Sequence, residues 1–220
     1  MEVREISRYL LWVYYGILLI VCFTGFYRFK KIDAASKILC LFTVLAFITE
    51  IMSNYAANKY KNNFPVYSIY GFLEFGMISL YFNYSIDFFR KRNIGIIIGI
   101  IGITLGIINT VLWQPLYTLN SYFIFIEGIC IVGMAMFSFF RLLLKNENLR
   151  LHSQPHFWFS GILSFYWSAT FLNWGLYDYL IRSADQRIGF LFIYMIIINI
   201  LTYLSIAIVF LLYPKMKTHI

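Results

Sequence analysis

Charged residues are scarce in this 220-residue chain: Asp, Glu, Lys and Arg make up 13% of it, whereas hydrophobic residues make up 61%. A typical soluble domain has roughly 25% charged residues, so the composition excludes an ordinary water-facing surface. The net charge of +8 comes from short basic runs between apolar stretches. That placement is typical of membrane topology and not of nucleic-acid binding, so we expect no nucleic-acid partner.

Residues and motifs that carry catalysis or bind metals are also scarce. The chain has three cysteines, which are Cys22, Cys40 and Cys130. All three lie in apolar stretches and lack the paired spacing of metal or redox sites. There is no P-loop, no Gly-x-Ser-x-Gly and no paired zinc motif, and the last apolar stretch has no lysine for a retinal Schiff base. We therefore predict that the chain is not an enzyme and has no metal and no cofactor.

Long apolar windows, by contrast, are abundant. A helix needs about 20 mostly apolar residues to cross a hydrocarbon core of about 30 Å. Seven windows reach this length, which predicts an all-α membrane protein: one polytopic domain, residues 1–220, folded as a seven-transmembrane-helix bundle. The predicted spans cover approximately residues 9–27, 36–56, 64–86, 93–112, 119–141, 156–179 and 187–213.

The basic residues predict the orientation of these spans, because short cytoplasmic segments collect Lys and Arg. The segments on the N-terminal side of the bilayer hold Arg4, Arg8, Lys59, Lys61, Arg182 and Arg187. The opposite side holds Arg28, Lys30, Lys31, Lys37, Arg90, Lys91, Arg92, Arg141, Lys145, Arg150, Lys215 and Lys217. This two-to-one excess predicts that the N-terminus lies outside the cytoplasm and the C-terminus inside.

Three acids lie deep within the predicted spans: Glu50, Glu74 and Glu127. An ionisable group at the centre of a membrane helix costs roughly 2.5 to 3.5 kcal/mol even on lenient scales, so each of them suggests a function. Counted along their helices, all three lie about 9 to 15 Å below the outer surface. Other polar side chains fall in the same half of the bilayer: Asn54, Tyr70, Asn109, Asn173 and Tyr194. We predict that these eight residues line a ligand-binding cavity that opens to the outside.

The state of these acids has several explanations. In the predicted topology no basic residue lies at their depth, so they are protonated, hydrogen-bonded to Asn and Tyr, hydrated, or paired with a cation or cationic ligand. Neutral glutamic acids that join helices by hydrogen bonds are one alternative to a binding site, and an ion pathway is another. The three histidines, His152, His156 and His219, lie on the cytoplasmic side, which excludes a histidine-ligated metal among the acids.

Four glycines mark one face of the fourth predicted span. Gly95, Gly99, Gly102 and Gly106 are spaced four, three and four residues apart, so they fall on one side of a helix. Small residues at such spacing let two backbones approach closely in a membrane. We predict that this face packs against a neighbouring helix.

Two segments carry a resemblance to a known family. They are residues 62–67 (Asn-Asn-Phe-Pro-Val-Tyr), leading to Glu74, and residues 154–158 (Gln-Pro-His-Phe-Trp), leading to Tyr166. They resemble a family of small seven-helix membrane proteins of Bacteroidota, whose members are often encoded near sensor histidine kinases. The resemblance implies a multi-pass protein of the cell inner (cytoplasmic) membrane in a signalling context, and it supplies no catalytic residues.

The longest predicted connection, residues 142–155, is too short for a soluble domain, so a signal has to leave through the helices. We therefore predict a sensory or accessory membrane subunit that lies in the lipid bilayer, binds a small ligand or cation, and acts through a cytoplasmic or membrane protein partner or as a homo-oligomer. A transporter or channel would need polar residues through the inner half, which is mostly Ile, Leu and Phe. A structural subunit of a secretion or defence complex would bury its acids against another chain. Both alternatives stay open.

Overall fold

A computed structural model describes residues 3–145, 151–182 and 188–217. Within these ranges the chain is helical, without strands. The helices are α1 (Val3–Arg28), α2 (Ala34–Tyr60), α3 (Phe64–Ser85), α4 (Asp87–Arg92), α5 (Ile94–Leu112), α6 (Ser121–Lys145), α7 (Pro155–Arg182) and α8 (Ile188–Lys217). A 3-10 turn, Leu151–Ser153, precedes α7. The predictions that involve Arg150, Arg187 and His219 lie outside the described residues.

Local signals in the sequence set several helix ends. Asp33 is the N-cap of α2, and its carboxylate accepts a hydrogen bond of 2.8 Å from the Ser36 backbone N–H. Pro155 is the first residue of α7, where its missing N–H costs nothing. Lys61 ends α2 in the left-handed region with φ of 57°. Each of the seven predicted windows coincides with a long helix, while the six-residue α4 falls in a segment predicted as a loop.

Five of the helices are long and apolar enough to cross a membrane. They are Glu5–Arg28, Ala34–Tyr60, Ile94–Leu112, Ser121–Leu144 and Gly189–Met216. These features are those of an all-α membrane protein. The helices α3 and α7 have 22 and 28 residues and are long enough, but among the described residues they are not in this apolar group. Seven crossings and the orientation of the termini therefore remain predictions.

Six of the long helices pack side by side in a closed ring. The first and last helices, α1 and α8, are neighbours, α1 also contacts α2, and α2 packs on α3. On the other side α3 contacts α6, α6 packs on α7, and α7 packs on α8, which closes the ring. The remaining long helix, α5, lies outside the ring against α3 and α6.

The glycine face of α5 is what holds this outer helix on α3. All four glycines are buried, and a methyl group added to Gly95 would lie 2.5 Å from the Ser79 carbonyl oxygen. A methyl group on Gly102 would overlap the Phe75 ring. Because α5 has no room for even one extra carbon at these positions, its backbone lies directly on α3.

Large apolar side chains cover the outside of the bundle. Trp12 and Phe23 of α1 and Ile100 and Val111 of α5 are each between 61% and 75% exposed. A monomeric soluble protein rarely shows such continuous apolar surface, whereas a bundle surrounded by lipid requires it. The buried side of α5 carries only glycines and Asn109, so this helix is more polar inside than outside.

Candidate ligand-binding cavity

Helical spacing brings one stripe of each ring helix to the bundle interior. On α3, Tyr67, Tyr70 and Glu74 are separated by three and four residues and so share one face. On α6, Phe123 and Glu127 are four residues apart and share another. Each stripe lies near the same end of the bundle, where α1 starts, α2 ends and α3 starts.

These stripes enclose a cavity of about 360 Å³. Its aromatic lining consists of Tyr14, Tyr15, Phe64, Tyr67, Tyr70, Phe123, Tyr166, Trp167, Trp174, Phe192 and Tyr203. Its polar lining consists of Thr49, Glu50, Ser53, Asn54, Asn63, Ser68, Glu74, Asn120, Glu127 and Asn199. All six ring helices contribute, whereas no described residue of α5 does. The volume lies within the range of small-molecule sites, about 300 to 1,000 Å³.

Glu50 is the acid with hydrogen-bond partners from two other helices. The Tyr14 hydroxyl of α1 donates to Glu50 Oε1 at 3.1 Å, and the Tyr67 hydroxyl of α3 donates to Glu50 Oε2 at 3.3 Å. Both carboxylate oxygens are therefore occupied, and the three helices are tied together. The geometry at Glu50 is therefore that of a glutamic acid that joins helices by hydrogen bonds, which is the alternative to a binding site.

Glu74 and Glu127 form a different arrangement. They lie on α3 and α6, which pack together, and the two carboxyl groups are close enough to interact electrostatically. Glu74 is 7% and Glu127 1% exposed. The hydroxyls of Tyr70, Tyr166 and Tyr203 also lie within electrostatic range of Glu74. Two acids thus share a region surrounded by tyrosines.

Two buried polar atoms of the cavity lining lack a hydrogen-bond partner. They are Glu127 Oε1 and the indole nitrogen of Trp167, whose side chain is 3% exposed. An unpaired buried polar group costs about 1 to 3 kcal/mol, so folded proteins rarely keep one without a reason. Four other described side-chain atoms are also buried without a partner: Arg28 Nε, Ser36 Oγ, Ser79 Oγ and Thr202 Oγ1. Glu127 and Trp167 are the two such residues in the described cavity lining, which marks this part of the cavity as a place for a ligand or water.

The cavity also lacks a positive charge: none of its described lining residues is Lys, Arg or His. Three carboxyl groups therefore face aromatic rings and hydroxyls without a basic partner. Nor do the described residues contain a group of three or more His, Cys, Asp or Glu side chains that could hold one metal ion. The arrangement can bind a cation or a hydrogen-bonding molecule.

The structure does not bring the five predicted polar residues together in one site. Tyr70 lines the cavity, and the exposed Asn54 lies at its rim, where it accepts a hydrogen bond of 2.8 Å from Asn58. Asn173 and Tyr194 are outside the lining and contact the same backbone: the Asn173 amide and, at 3.4 Å, the Tyr194 hydroxyl donate to the Ala169 carbonyl oxygen. The Asn173 bond lies within α7, and the Tyr194 hydroxyl connects α8 to α7.

Asn109 has a structural role at the junction of α5 and α6. Its amide donates to the side-chain oxygens of Gln114, at 3.0 Å, and Asn120. The Gln114 amide in turn donates to the Ser121 hydroxyl at 2.8 Å. Asn109 thus stabilises the connection between two helices, because α5 lies outside the ring that encloses the cavity.

Several lining residues were missed by sequence reasoning. Tyr67 could have been found from helical spacing, because it precedes Glu74 by seven residues, or two turns. Tyr14, Tyr166 and Tyr203 had no such signal, since the chain contains 18 tyrosines and most apolar windows include one. Trp167 has no sequence signal that separates it from a packing or lipid-facing residue, but it lines the cavity.

A second polar group lies at the opposite end of the bundle, and we call its members, Asp33, Tyr81, His156 and Tyr213, the Asp33 cluster. His156 Nε2 lies 2.7 Å from Asp33 Oδ2, and its Nδ1 lies 3.3 Å from the Tyr81 hydroxyl. The Asp33 backbone N–H donates to the Tyr213 hydroxyl at 3.3 Å. The cluster joins the start of α2 to α3, α7 and α8, and it was not predicted.

The electrostatics of Asp33 follow from these contacts. Burial alone would raise the pKa of Asp33, but the hydrogen bond and charge of His156 and the hydrogen bonds from Ser36 hold it well below its usual value. Asp33 is thus a carboxylate with partners on both oxygens. Tyr81 has no exposed surface, so the aspartate–histidine–tyrosine row gives no substrate access to its hydroxyl.

A layer of apolar side chains separates the cavity from the Asp33 cluster. Its members are at most 2% exposed and include Leu18, Leu39, Phe75, Ile78, Ile131, Phe159, Leu163, Ile206 and Phe210. Along α3, Glu74 and Tyr81 are seven residues or about 10 Å apart, and Phe75 and Ile78 lie between them. Apolar side chains therefore fill much of the described interior between the two polar regions.

Comparison with models of known protein families, with curated proteins and with solved structures finds no match. The function has to be inferred from the geometry itself.

Proposed function

We propose that this chain is a sensory or accessory subunit of the inner membrane that binds a small ligand or cation in the cavity and acts through a protein partner. It crosses the bilayer seven times, with the N-terminus outside and the C-terminus in the cytoplasm. The cavity then opens toward the outer side and the Asp33 cluster lies at the cytoplasmic side.

One observation carries this proposal: the cavity holds buried acids without a basic partner, and two polar atoms of its lining are unpaired. Acids that served only to join helices would have their hydrogen bonds completed by neighbours, as those of Glu50 are. Glu127 and Trp167 instead leave an acceptor and a donor available. A bound molecule would satisfy both and would explain why the cost of leaving them unpaired is tolerated.

The polar character of α3 and α7 is compatible with seven crossings. Both helices turn their polar residues inward, Glu74 to the cavity and His156 to the Asp33 cluster. Ionisable groups in a membrane bundle are tolerated when they face its interior. The distribution of Lys and Arg supports the proposed orientation.

The output surface of this proposal is the basic end of the bundle. The short helix α4 carries Arg90, Lys91 and Arg92, all exposed, at the same end as the Asp33 cluster. A cytoplasmic protein partner with an acidic surface fits this end by charge. The signalling context implied by the Bacteroidota resemblance is compatible with such a partner.

The binding half of the proposal is tested by thermal unfolding of the purified protein in lipid nanodiscs against a panel of inorganic cations and small organic amines. A ligand present at 100 times its Kd stabilises the folded state by about 2.7 kcal/mol. We expect at least one compound to raise the unfolding temperature of the wild type and to have no effect on Glu74→Gln and Glu127→Gln. The exposed Glu5, substituted by Gln, is the matched control that keeps the response.

A solute or ion transporter is the second candidate, and the acid-lined cavity favours it as much as it favours a receptor. The buried apolar layer counts against it, because apolar side chains fill much of the described interior between the cavity and the other end. Cation flux into proteoliposomes that is abolished by Glu74→Gln would replace the sensory proposal with transport. A stoichiometric partner that covers the cavity in native membranes would replace it with a structural role.

A further inference from the structure

The lining of the cavity points to one class of ligand, and this inference rests on the proposed binding function. We propose that the cavity binds a small organic ammonium compound that carries a neutral hydrogen-bond acceptor, with its ammonium group at Glu74 and Glu127 and its acceptor at the Trp167 indole N–H. The site discriminates against amino acids and against bare metal ions.

The charge of the ligand follows from the acids. Glu74 and Glu127 lie together on facing helices, and no described lining residue is basic. An ammonium group would supply the missing positive charge and at the same time donate to the free Glu127 Oε1. A ligand carboxylate would bring a further negative charge into a site that already holds three acids, so amino acids are disfavoured.

The organic nature of the ligand follows from the size and walls of the cavity. Ca²⁺ needs six to eight oxygen ligands at about 2.3 to 2.6 Å, and Mg²⁺ needs a near-ideal octahedron. The described residues hold no group of three acids or other metal-binding side chains close enough for this. A volume of about 360 Å³ is also far larger than an ion requires.

Aromatic side chains supply the other walls. Tyr14, Tyr70, Tyr166 and Tyr203 line the cavity with Phe123 and Trp167. The faces of aromatic rings attract ammonium groups and pack against apolar parts of a ligand. An aromatic cage with carboxylates behind it is the arrangement expected for an organic amine.

The acceptor on the ligand follows from Trp167. Its indole N–H is a donor only, it is buried, and it has no partner, so it requires an acceptor that the protein does not supply. A methyl group added to Gly128, the residue after Glu127, would lie 3.2 Å from Trp167 Cε3, so the Trp167 ring packs on α6 next to the position of Glu127. Gly71 keeps this part of the cavity open, because an added methyl group there would lie 3.4 Å from Phe123 and 3.8 Å from Glu127.

The experiment uses four matched probes on the full chain in lipid nanodiscs. They are 2-amino-1-phenylethanol, 2-phenylethylamine without the hydroxyl, 1-phenylethanol without the ammonium, and phenylalanine with an added carboxylate. Binding is measured by calorimetry and by the shift in unfolding temperature. We expect 2-amino-1-phenylethanol to bind best, 2-phenylethylamine about tenfold more weakly, and the other two not measurably.

Variants assign each contact. Trp167→Phe removes the N–H but keeps an aromatic ring, so it should weaken 2-amino-1-phenylethanol about tenfold and leave 2-phenylethylamine unchanged. Glu127→Gln should weaken both amines, and Glu5→Gln should weaken neither. An equal effect of Trp167→Phe on both amines would overturn the acceptor contact.

The two levels of the proposal fail in different ways. If only Ca²⁺, Mg²⁺ or Na⁺ raised the unfolding temperature, and Glu127→Gln abolished that rise, the ligand would not be an organic ammonium compound. The proposed binding function would still hold. Tighter binding of phenylalanine than of 2-phenylethylamine would also contradict the proposed ligand class and leave the binding function standing. No protection by any compound, with Glu74→Gln and Glu127→Gln less stable than the wild type, would overturn both and assign the acids to packing.

Discussion

The two polar regions of this bundle differ in how completely their groups are paired. In the Asp33 cluster, His156 has a partner on each ring nitrogen and Asp33 has partners on both carboxylate oxygens. In the cavity, Glu127 and Trp167 each leave a buried polar atom without a partner. Each ring nitrogen of His156 and each carboxylate oxygen of Asp33 thus has a partner, with these side chains 18% and 31% exposed, whereas two buried atoms of the cavity-lining residues have none.

This difference separates structural from functional polarity. A complete network stabilises the fold and specifies which helices meet, because removing any member leaves a buried group unpaired. An incomplete one costs stability in the free protein, and that cost is recovered when a ligand completes it. Substitutions at the two ends of the bundle should therefore have opposite consequences for stability and for binding.

The largest expected effect is at the centre of the Asp33 cluster. The change His156→Ala removes a partner of Asp33 Oδ2 and of the Tyr81 hydroxyl at once, so we expect it to lower the free energy of unfolding by about 1.5 to 3 kcal/mol. The exposed His152, substituted by Ala, is the control for removing a histidine nearby. Thermal unfolding in nanodiscs measures both. A loss at His156 no greater than at His152 would mean that the cluster does not stabilise the bundle.

The next effect concerns Asp33 and the pH dependence of the free energy of unfolding. Because the folded state holds the pKa of Asp33 below its unfolded value, the stabilisation from Asp33 is fully present above about pH 4 and is lost as the pH falls further toward the folded pKa. The Asn variant keeps a helix cap but not the charge, so we expect it to lose about 1 to 2 kcal/mol at pH 7. The difference between wild type and Asp33→Asn should shrink between pH 4 and pH 3. A difference that is constant over this range contradicts the assignment.

A substitution in the cavity is expected to change the stability of the free protein less, and not to lower it. The change Glu127→Gln replaces the carboxyl group beside Glu74 by an amide of the same shape and breaks no hydrogen bond at Oε1, so we expect the stability of the free protein to stay within about 1 kcal/mol of the wild type or to rise. Chemical or thermal unfolding of the two proteins without ligand is the measurement. A loss of more than about 2 kcal/mol would show that Glu127 is a packing residue.

The smallest and sharpest comparison is between two aromatic residues that each lose one polar atom. We expect Tyr81→Phe to cost about 1 kcal/mol, because the hydroxyl is paired with His156, and Trp167→Phe to cost only what its lost ring area costs, without a hydrogen-bond contribution. Trp167→Leu separates the two contributions, since it removes the ring as well. If both phenylalanine variants showed an added polar cost, the two regions would not differ in pairing.

The sequence predicted the helices well, because their signals are local. Apolar windows, the Pro155 start of α7 and the spacing of the four glycines each depend on a few neighbouring residues. The convergence of Glu50, Glu74 and Glu127 on one cavity was also predictable, since depth in a membrane follows from counting along a helix.

What the sequence could not supply is the neighbour relations of the helices. Asn109 lies at the predicted depth, but α5 is outside the ring, so its polar side meets Gln114 and Asn120 instead of the cavity. Asp33 and His156 are 123 residues apart, and no local pattern links them. The position of a residue along its helix follows from the sequence of that helix. The residues that it contacts on other helices depend on how the whole bundle packs.

The closed ring also has a consequence for biosynthesis. The chain order of the ring helices matches their spatial order, and the closing contact joins the first helix to the last, with the Arg28 guanidinium donating to the Leu211 carbonyl across 183 residues. Until α8 has left the ribosome, the interior sides of α1 and α7, and with them the acids of α2, α3 and α6, have no wall on that side. Until the last helix is translated and packs against α1 and α7, the cavity that holds these carboxyl groups therefore stays open on one side.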